Sequence, residues 1–201
     1  MVSMSDTEER QLWTADEFLA WLQPGKHADL IDEEILMHSP ANLSHADLLN
    51  FLDHLLRAYI ESNKLGKLYR EVVAVRQSAR RVFLPDLAFF TNEQIPRLKT
   101  TYAPITSTMV VEALSPYTAD HDVGPKFTAY EQHGVQEYWI LDPEHLAHRF
   151  YRREGELLFE FATHAEKTPA QRVPGFWVHR SWPELEHLPK AGRCLAEINA
   201  M

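Results

Sequence analysis

"TMVVEALSP", residues 108–116, sets a single carboxylate, Glu112, inside a run of apolar and small residues that otherwise reads as a buried β-strand. "FLPDLAFF", residues 83–90, repeats the arrangement with Asp86. An ionised carboxylate stripped of water costs on the order of several kcal/mol unless a cation or hydrogen-bond donors compensate. Two of them in core-like strands therefore need a shared explanation. A divalent ion such as Mg²⁺ supplies one, because it prefers oxygen ligands, keeps several waters and leaves room for a phosphate. The rival reading of the same spacing is a pair of strand-end acids neutralised by arginines such as Arg70 or Arg76.

Beyond the Glu112 strand, "DHDVGPKFTAYEQHG" (residues 120–134) starts acidic and ends in glycine, which predicts a helix of three to four turns near 125–133. Lys126 opens that helix, and a short connection folds it back over the strand it leaves. Tyr130 and His133 follow on its face. Phosphodiester chemistry needs a cation to orient water and to offset charge, and Lys126 is the candidate; a lone helix lysine is otherwise a solvated residue. Tyr130 also reads as core packing.

Outward from this centre, "TADEFLAWL" (14–22) has Thr14 three residues before Glu17, the pattern of a capped amphipathic helix ended by Pro24-Gly25. "ADLIDEEILMHSP" (28–40) reads as a hairpin turning at Asp32-Glu33, without the usual glycine. Residues 42–62 carry apolar side chains at spacings of three and four, a long helix. "KLYREVVAVRQS" (67–78) and "RVFLPDLAFFT" (81–91) are β-rich, as is "QEYWILD" (136–142). "HRFYRREGELLFEF" (148–161) predicts a hairpin turning near Glu154-Gly155, and "PGFWVHRSWPEL" (174–185) a strand and a helical turn. The order gives a mixed sheet flanked by helices, an α/β or α+β layered fold.

Length and composition suit a single domain over residues 1–201, with 45% hydrophobic and 24% charged residues. The one cysteine, Cys194, gives no disulfide framework and fits a cytoplasmic protein. No stretch of about 18 apolar residues occurs, so no membrane span is expected. A formal charge of −9 argues against general nucleic-acid binding. "RQSARR" (76–81) concentrates three arginines in six residues, a local basic patch or, more simply, a solvated hairpin turn. The histidines lack zinc-enzyme spacing, and no phosphate-binding glycine loop is present.

Four segments, "FLPDLAFF", "VVEALSPYT", "DVGPKFTAYEQHGVQEYWILDP" and "DLIDEEILMHSP", resemble in order and spacing the Uma-two family of restriction-endonuclease-like proteins, a branch of the PD-(D/E)XK nucleases, over about residues 14–180. The resemblance implies a restriction-endonuclease-like core and a Mg²⁺- or Mn²⁺-dependent endonuclease that hydrolyses DNA, generally as a homodimer. It puts Asp86 and Glu112 on the metal, Asp29 as a further ligand, and Lys126 as the lysine that a standard motif would carry at Leu114. His45 matches a common family histidine, which makes it a candidate for contact with substrate phosphate. Glu33 stands where the family has a turn glycine. The alternative is a nuclease-like scaffold that binds nucleic acid or a partner protein without cutting, favoured by the acidic charge and by Leu114. The aromatic residues Phe176, Trp177 and Trp182 read as a dimer interface or as core.

Overall fold

Thr14 and Glu17 form the expected capping box, with the Thr14 hydroxyl accepting the Glu17 N–H at 3.3 Å and the Glu17 carboxylate accepting the Thr14 N–H at 2.8 Å. Helix α1 (Ala15–Trp21) starts there and buries Phe18. The structure, a computed structural model, describes residues 11–38, 42–71, 73–115, 119–162, 165–183 and 188–200. The helical turn expected after Trp182 falls partly outside these residues. Strands β1 (Ala28–Ile31) and β2 (Glu34–Met37) make the expected hairpin, with Ile31 opposite Glu34. Its two turn residues, Asp32 and Glu33, take φ values of 47° and 73°, the left-handed pair that a tight hairpin demands and glycine adopts more cheaply.

Asn42 caps the long helix α2 (Leu43–Ser62) by accepting the His45 N–H at 2.8 Å. The two β-rich runs each split. Strand β3 (Gly66–Arg70) and strand β6 (Leu87–Thr91) pair in one sheet, whereas β4 (Ala74–Arg76) and β5 (Val82–Phe83) pair in another. Between them the chain turns at Glu71, which has φ 47°, and again at Leu84-Pro85, where proline offers no ladder N–H. Strand β7 (Tyr102–Ala103) and strand β8 (Met109–Ala113) follow.

The helix expected near 125–133 is broken. Helix α3 (Ala119–His121) passes into a wide turn of π type at Asp122–Lys126, and only then into α4 (Phe127–Gln132). Pro125 lies inside the wide turn; it lacks an N–H and excludes regular α-helical pairing there. Strand β9 (Glu137–Leu141) and the hairpin β10 (Arg149–Glu154) with β11 (Leu157–Phe161) complete the larger sheet. Strands β12 (Lys167–Pro169) and β13 (Trp177–His179) form a small ribbon, and α5 (Ala191–Asn199), unread in the sequence, ends the described chain.

The larger sheet has the order β11-β10-β9-β8-β6-β3, antiparallel except for β8 beside β9; the smaller has the order β2-β1-β5-β4-β7. The two-residue alternation of a strand then decides which side chains meet. Phe89, Met109, Val111 and Trp139 face α2 in the main core, together with Phe176, Trp177 and Trp182. These three C-terminal aromatics are thus core, not a free interface, and full burial of such a side chain contributes about 1.5–3 kcal/mol. On the opposite face Val110, Tyr138 and Ile140 pack with Phe83, Leu114, Ala129 and Tyr130. Val75 of β4 packs with Ala88 and Phe90 of β6, which lays the smaller sheet over this same face. Glu112 shares the side of Val110, so it looks toward α4 and the smaller sheet.

A candidate active site around Lys126

Three elements bring charge to one point. Strand β1 carries Asp29, β8 carries Glu112, and the wide turn carries both Asp122 and Lys126. The Lys126 ammonium sits 3.0 Å from Asp29 Oδ2, 2.9 Å from Glu112 Oε1 and 3.0 Å from Asp122 Oδ1. All four residues are buried, at 4% exposure or less. The ammonium donates a hydrogen bond to Glu112 Oε1, and the Asp29 and Asp122 carboxylates lie at ion-pair distance. The sequence placed Lys126 toward the acids, and it lies there, while Leu114 is buried in the core under α4.

Asp86 enters from the loop before β6 and interlocks with the end of β8. Its main-chain N–H donates to Glu112 Oε2 at 3.0 Å, and its Oδ2 accepts the Ala113 N–H at 2.7 Å. His45, buried in the first turn of α2, places Nε2 3.5 Å from Asp86 Oδ2. Tyr130 is both core and site, since its hydroxyl donates to Glu112 Oε1 at 2.9 Å. His133 does not join, because its Nδ1 lies 2.8 Å from the Ala129 carbonyl of its own helix. Asp29 Oδ1 accepts the Leu84 N–H at 2.7 Å, and Oδ2 also faces His38 Nε2 at 3.0 Å. Neither Arg70 nor Arg76 pairs with Asp86 or Glu112: Arg76 holds Asp16 at 2.6 Å, and Arg70 lies 3.6 Å from Glu71.

Asp122 and His38 join the site without being among the residues the sequence pattern singles out. For Asp122 the signal was available, four residues before Lys126 at helical spacing. For His38 there was none, because its approach to Asp29 depends on the hairpin register.

Three acids around one ammonium leave an excess of negative charge. Burial pushes the Glu112 carboxyl up to about 8, with Asp86 and Asp122 adding to the rise and Lys126 opposing it. Burial likewise raises Asp122. Asp29 escapes: burial would raise it, but Lys126 and the bonds from His38 and Leu84 hold it at about 2. Lys126 is kept charged well above its usual range, burial being outweighed by Asp122, Asp29 and Glu112. A Glu112 that must take a proton near neutral pH is a carboxylate short of one positive neighbour.

A small, hard divalent ion suits the donors available. Among the described residues no three His, Cys, Asp or Glu side chains form a ready chelating group. Glu112 Oε1 is taken by Lys126 and Tyr130, but Oε2 receives one N–H and keeps a lone pair. The Asp86 side chain is 18% exposed, so the pair opens to water on that side. A buried carboxylate beside one with solvent access fits Mg²⁺, which retains much of its hydration, and fits a fully protein-caged ion poorly. Asp29 turns Oδ2 to Lys126 and His38, while Oδ1 receives the Leu84 N–H.

The arginine segment is a turn between β4 and β5, closed by the Gln77 N–H on the Arg81 carbonyl at 3.0 Å. Arg80 pairs with Glu33 at 3.2 Å and Arg81 with Asp32 at 2.7 Å. These cations therefore brace the smaller sheet.

Comparison with known proteins agrees with this architecture. A crystal structure of a "putative nuclease belonging to DUF820" from Anabaena variabilis matches with a TM-score of 0.71 at 18% identity, covering 86% of this chain and 97% of that one. At that identity the likeness is one of fold. No curated protein matches. A family model described as "Putative restriction endonuclease" matches residues 15–181, and the chain belongs to that family, Uma2.

Proposed function

We propose that the protein is a divalent-metal-dependent endonuclease that hydrolyses DNA phosphodiester bonds, with Asp86 and Glu112 holding the ion. The observation that carries this reading is the interlocked pair Asp86–Glu112, open to water at Asp86 and backed by a buried lysine. Family membership supports the reaction class, since restriction-endonuclease-like proteins generally use divalent ions. When bound, Mg²⁺ or Mn²⁺ would polarise the phosphoryl oxygen and lower the pKa of a bound water.

The chain's own residues do the rest. Lys126 opposes the burial cost of the acids, and Asp29 and Asp122 keep its ammonium in place. Lys126 would orient the attacking water and offset charge in the transition state. Tyr130 holds the orientation of Glu112, and His45 braces Asp86 from α2. Cutting both strands calls for two sites, so the active form is proposed to be a homodimer.

The second reading, a scaffold that binds without cutting, is favoured by one observation: three acids already lie within 3.0 Å of the Lys126 ammonium. Plasmid cleavage with Mg²⁺ or Mn²⁺ and with EDTA separates the two. The expected result is nicking by the parent, lost in EDTA and reduced at least a hundredfold in Asp86→Ala and Lys126→Ala. Cleavage that survives Asp86→Ala removes the proposed mechanism, and calorimetry showing no uptake of either ion removes the metal.

A further inference from the structure

His38 follows β2 and takes no part in the chemistry above, yet its side chain reaches the cluster. Its Nε2 lies 3.0 Å from Asp29 Oδ2, the same oxygen that faces Lys126 Nζ at 3.0 Å. A carboxylate only accepts, so Nε2 carries the hydrogen. The backbone is fixed as well, with the His38 N–H on the His27 carbonyl at 2.9 Å, one step beyond the hairpin ladder. Its side chain is 24% exposed and that of Asp29 is 2% exposed. The imidazole thus links a buried carboxylate to a partly exposed position.

Three donors from three directions hold the Asp29 carboxylate: Leu84 N–H on Oδ1, and Lys126 and His38 on Oδ2. Leu84 belongs to the loop that delivers Asp86, so Asp29 joins that loop to the lysine. Without His38, Oδ2 keeps the ammonium as its one donor, water gains access, and the carboxylate and ammonium are free to move together. We propose that His38 is a positioning residue for Lys126, acting through Asp29. A displacement of about 1 Å at a reacting group can cost about a hundredfold in rate, so the effect on turnover is large.

The consequence for turnover rests on the nuclease reading; the consequence for the ammonium does not. The test therefore uses the full chain with two readouts. His38→Gln keeps an N–H donor near the position of Nε2, whereas His38→Ala and the space-filling His38→Leu do not. ¹⁵N-lysine NMR reports proton exchange at the buried Lys126 ammonium. Exchange is expected to stay slow in the parent and in His38→Gln and to quicken at least tenfold in His38→Ala; if that variant does not fold, His38→Leu decides. In cleavage assays kcat should fall about ten- to hundredfold in His38→Ala with KM within twofold, and return to within about threefold of the parent in His38→Gln. The proposal is overturned if exchange is unchanged in the non-donor variants, or if His38→Gln is as impaired as His38→Leu. A parent that cuts no DNA while these exchange differences hold overturns the nuclease reading and leaves the positioning role standing.

Discussion

At Lys126 a buried cation is surrounded by more negative charge than it can neutralise. Breaking a buried ion pair by removing one partner typically costs about 3–5 kcal/mol, because the other charge stays behind unpaired. Lys126→Met is therefore expected to destabilise the metal-free protein by about that much at pH 8. The penalty should shrink at pH 5. Acids whose folded pKa is raised, as for Glu112 and Asp122, contribute stability at low pH and lose it as pH rises through that value. Urea unfolding of parent and variant at the two pH values measures this, and an equal penalty at both would contradict the charge account. Glu112→Gln differs in kind. Burial raises the Glu112 carboxyl to about 8, so at pH 7 the amide should cost far less than Lys126→Met, apart from an offset for whichever of the Asp86, Lys126 and Tyr130 bonds it cannot accept. The same substitution should abolish metal uptake, which calorimetry reads directly.

At the scale of elements, the hairpin β1–β2 shows a local cost met by distant partners. Asp32 and Glu33 hold positive φ without being glycine, and left-handed backbone costs an ordinary residue roughly 1–2 kcal/mol. Arg81 and Arg80 pair with them, and the Trp13 N–H bonds the Glu33 carbonyl at 2.8 Å. Glu33→Gly should relieve the strain, lose one exposed ion pair and gain unfolded-state entropy, for a net stabilisation of about 0.5 kcal/mol. A lower urea midpoint would show that the Arg80 pair matters more than the backbone. The sequence spoke clearly where one rule acted alone, as in the box at Thr14, the periodicity of α2 and the turn at Glu154-Gly155. It spoke less clearly where tertiary context chose. Runs 67–78 and 81–91 looked like two strands because β-propensity does not say which sheet a strand joins, and a single residue at Glu71 redirects the chain. The wide turn at Asp122–Lys126 depends on Pro125 inside a sequence that is otherwise helical. Glu112 and Asp86 stand out because charge in an apolar run is costly, and Lys126 because its helix follows the Glu112 strand. The part of His38 does not, since register alone brings it to Asp29.

At the scale of the whole molecule, two buried groups outside the candidate site and eleven residues apart, Glu137 and His148, shift in opposite directions and act over overlapping pH ranges. Burial raises Glu137 to about 7, against the pull of main-chain N–H groups at Gln171 and Arg172 and of the Trp139 indole. Its contribution is complete below the unfolded value of 4.5 and is lost as pH climbs through 7. Burial lowers His148 to about 4, so its contribution is complete above 6.5 and is lost as pH falls through 4. Each shift corresponds to about 3 kcal/mol, and between them the two slopes cancel over much of the acid range. Removing one should expose the other. In His148→Asn the amide oxygen can still accept the Asp142 N–H that His148 Nδ1 accepts at 3.1 Å, so the fold keeps that bond while the titration disappears. Relative to the parent, its stability should fall by about 3 kcal/mol as pH rises from 4 to 6.5. Glu137→Gln should give the mirror image, with a constant offset for whichever of the Trp139 and Arg172 bonds the amide cannot accept. Urea titrations every half pH unit from 4 to 8 provide the difference curves. Parallel curves for parent and both variants would mean that neither group carries its buried pKa into the folding equilibrium.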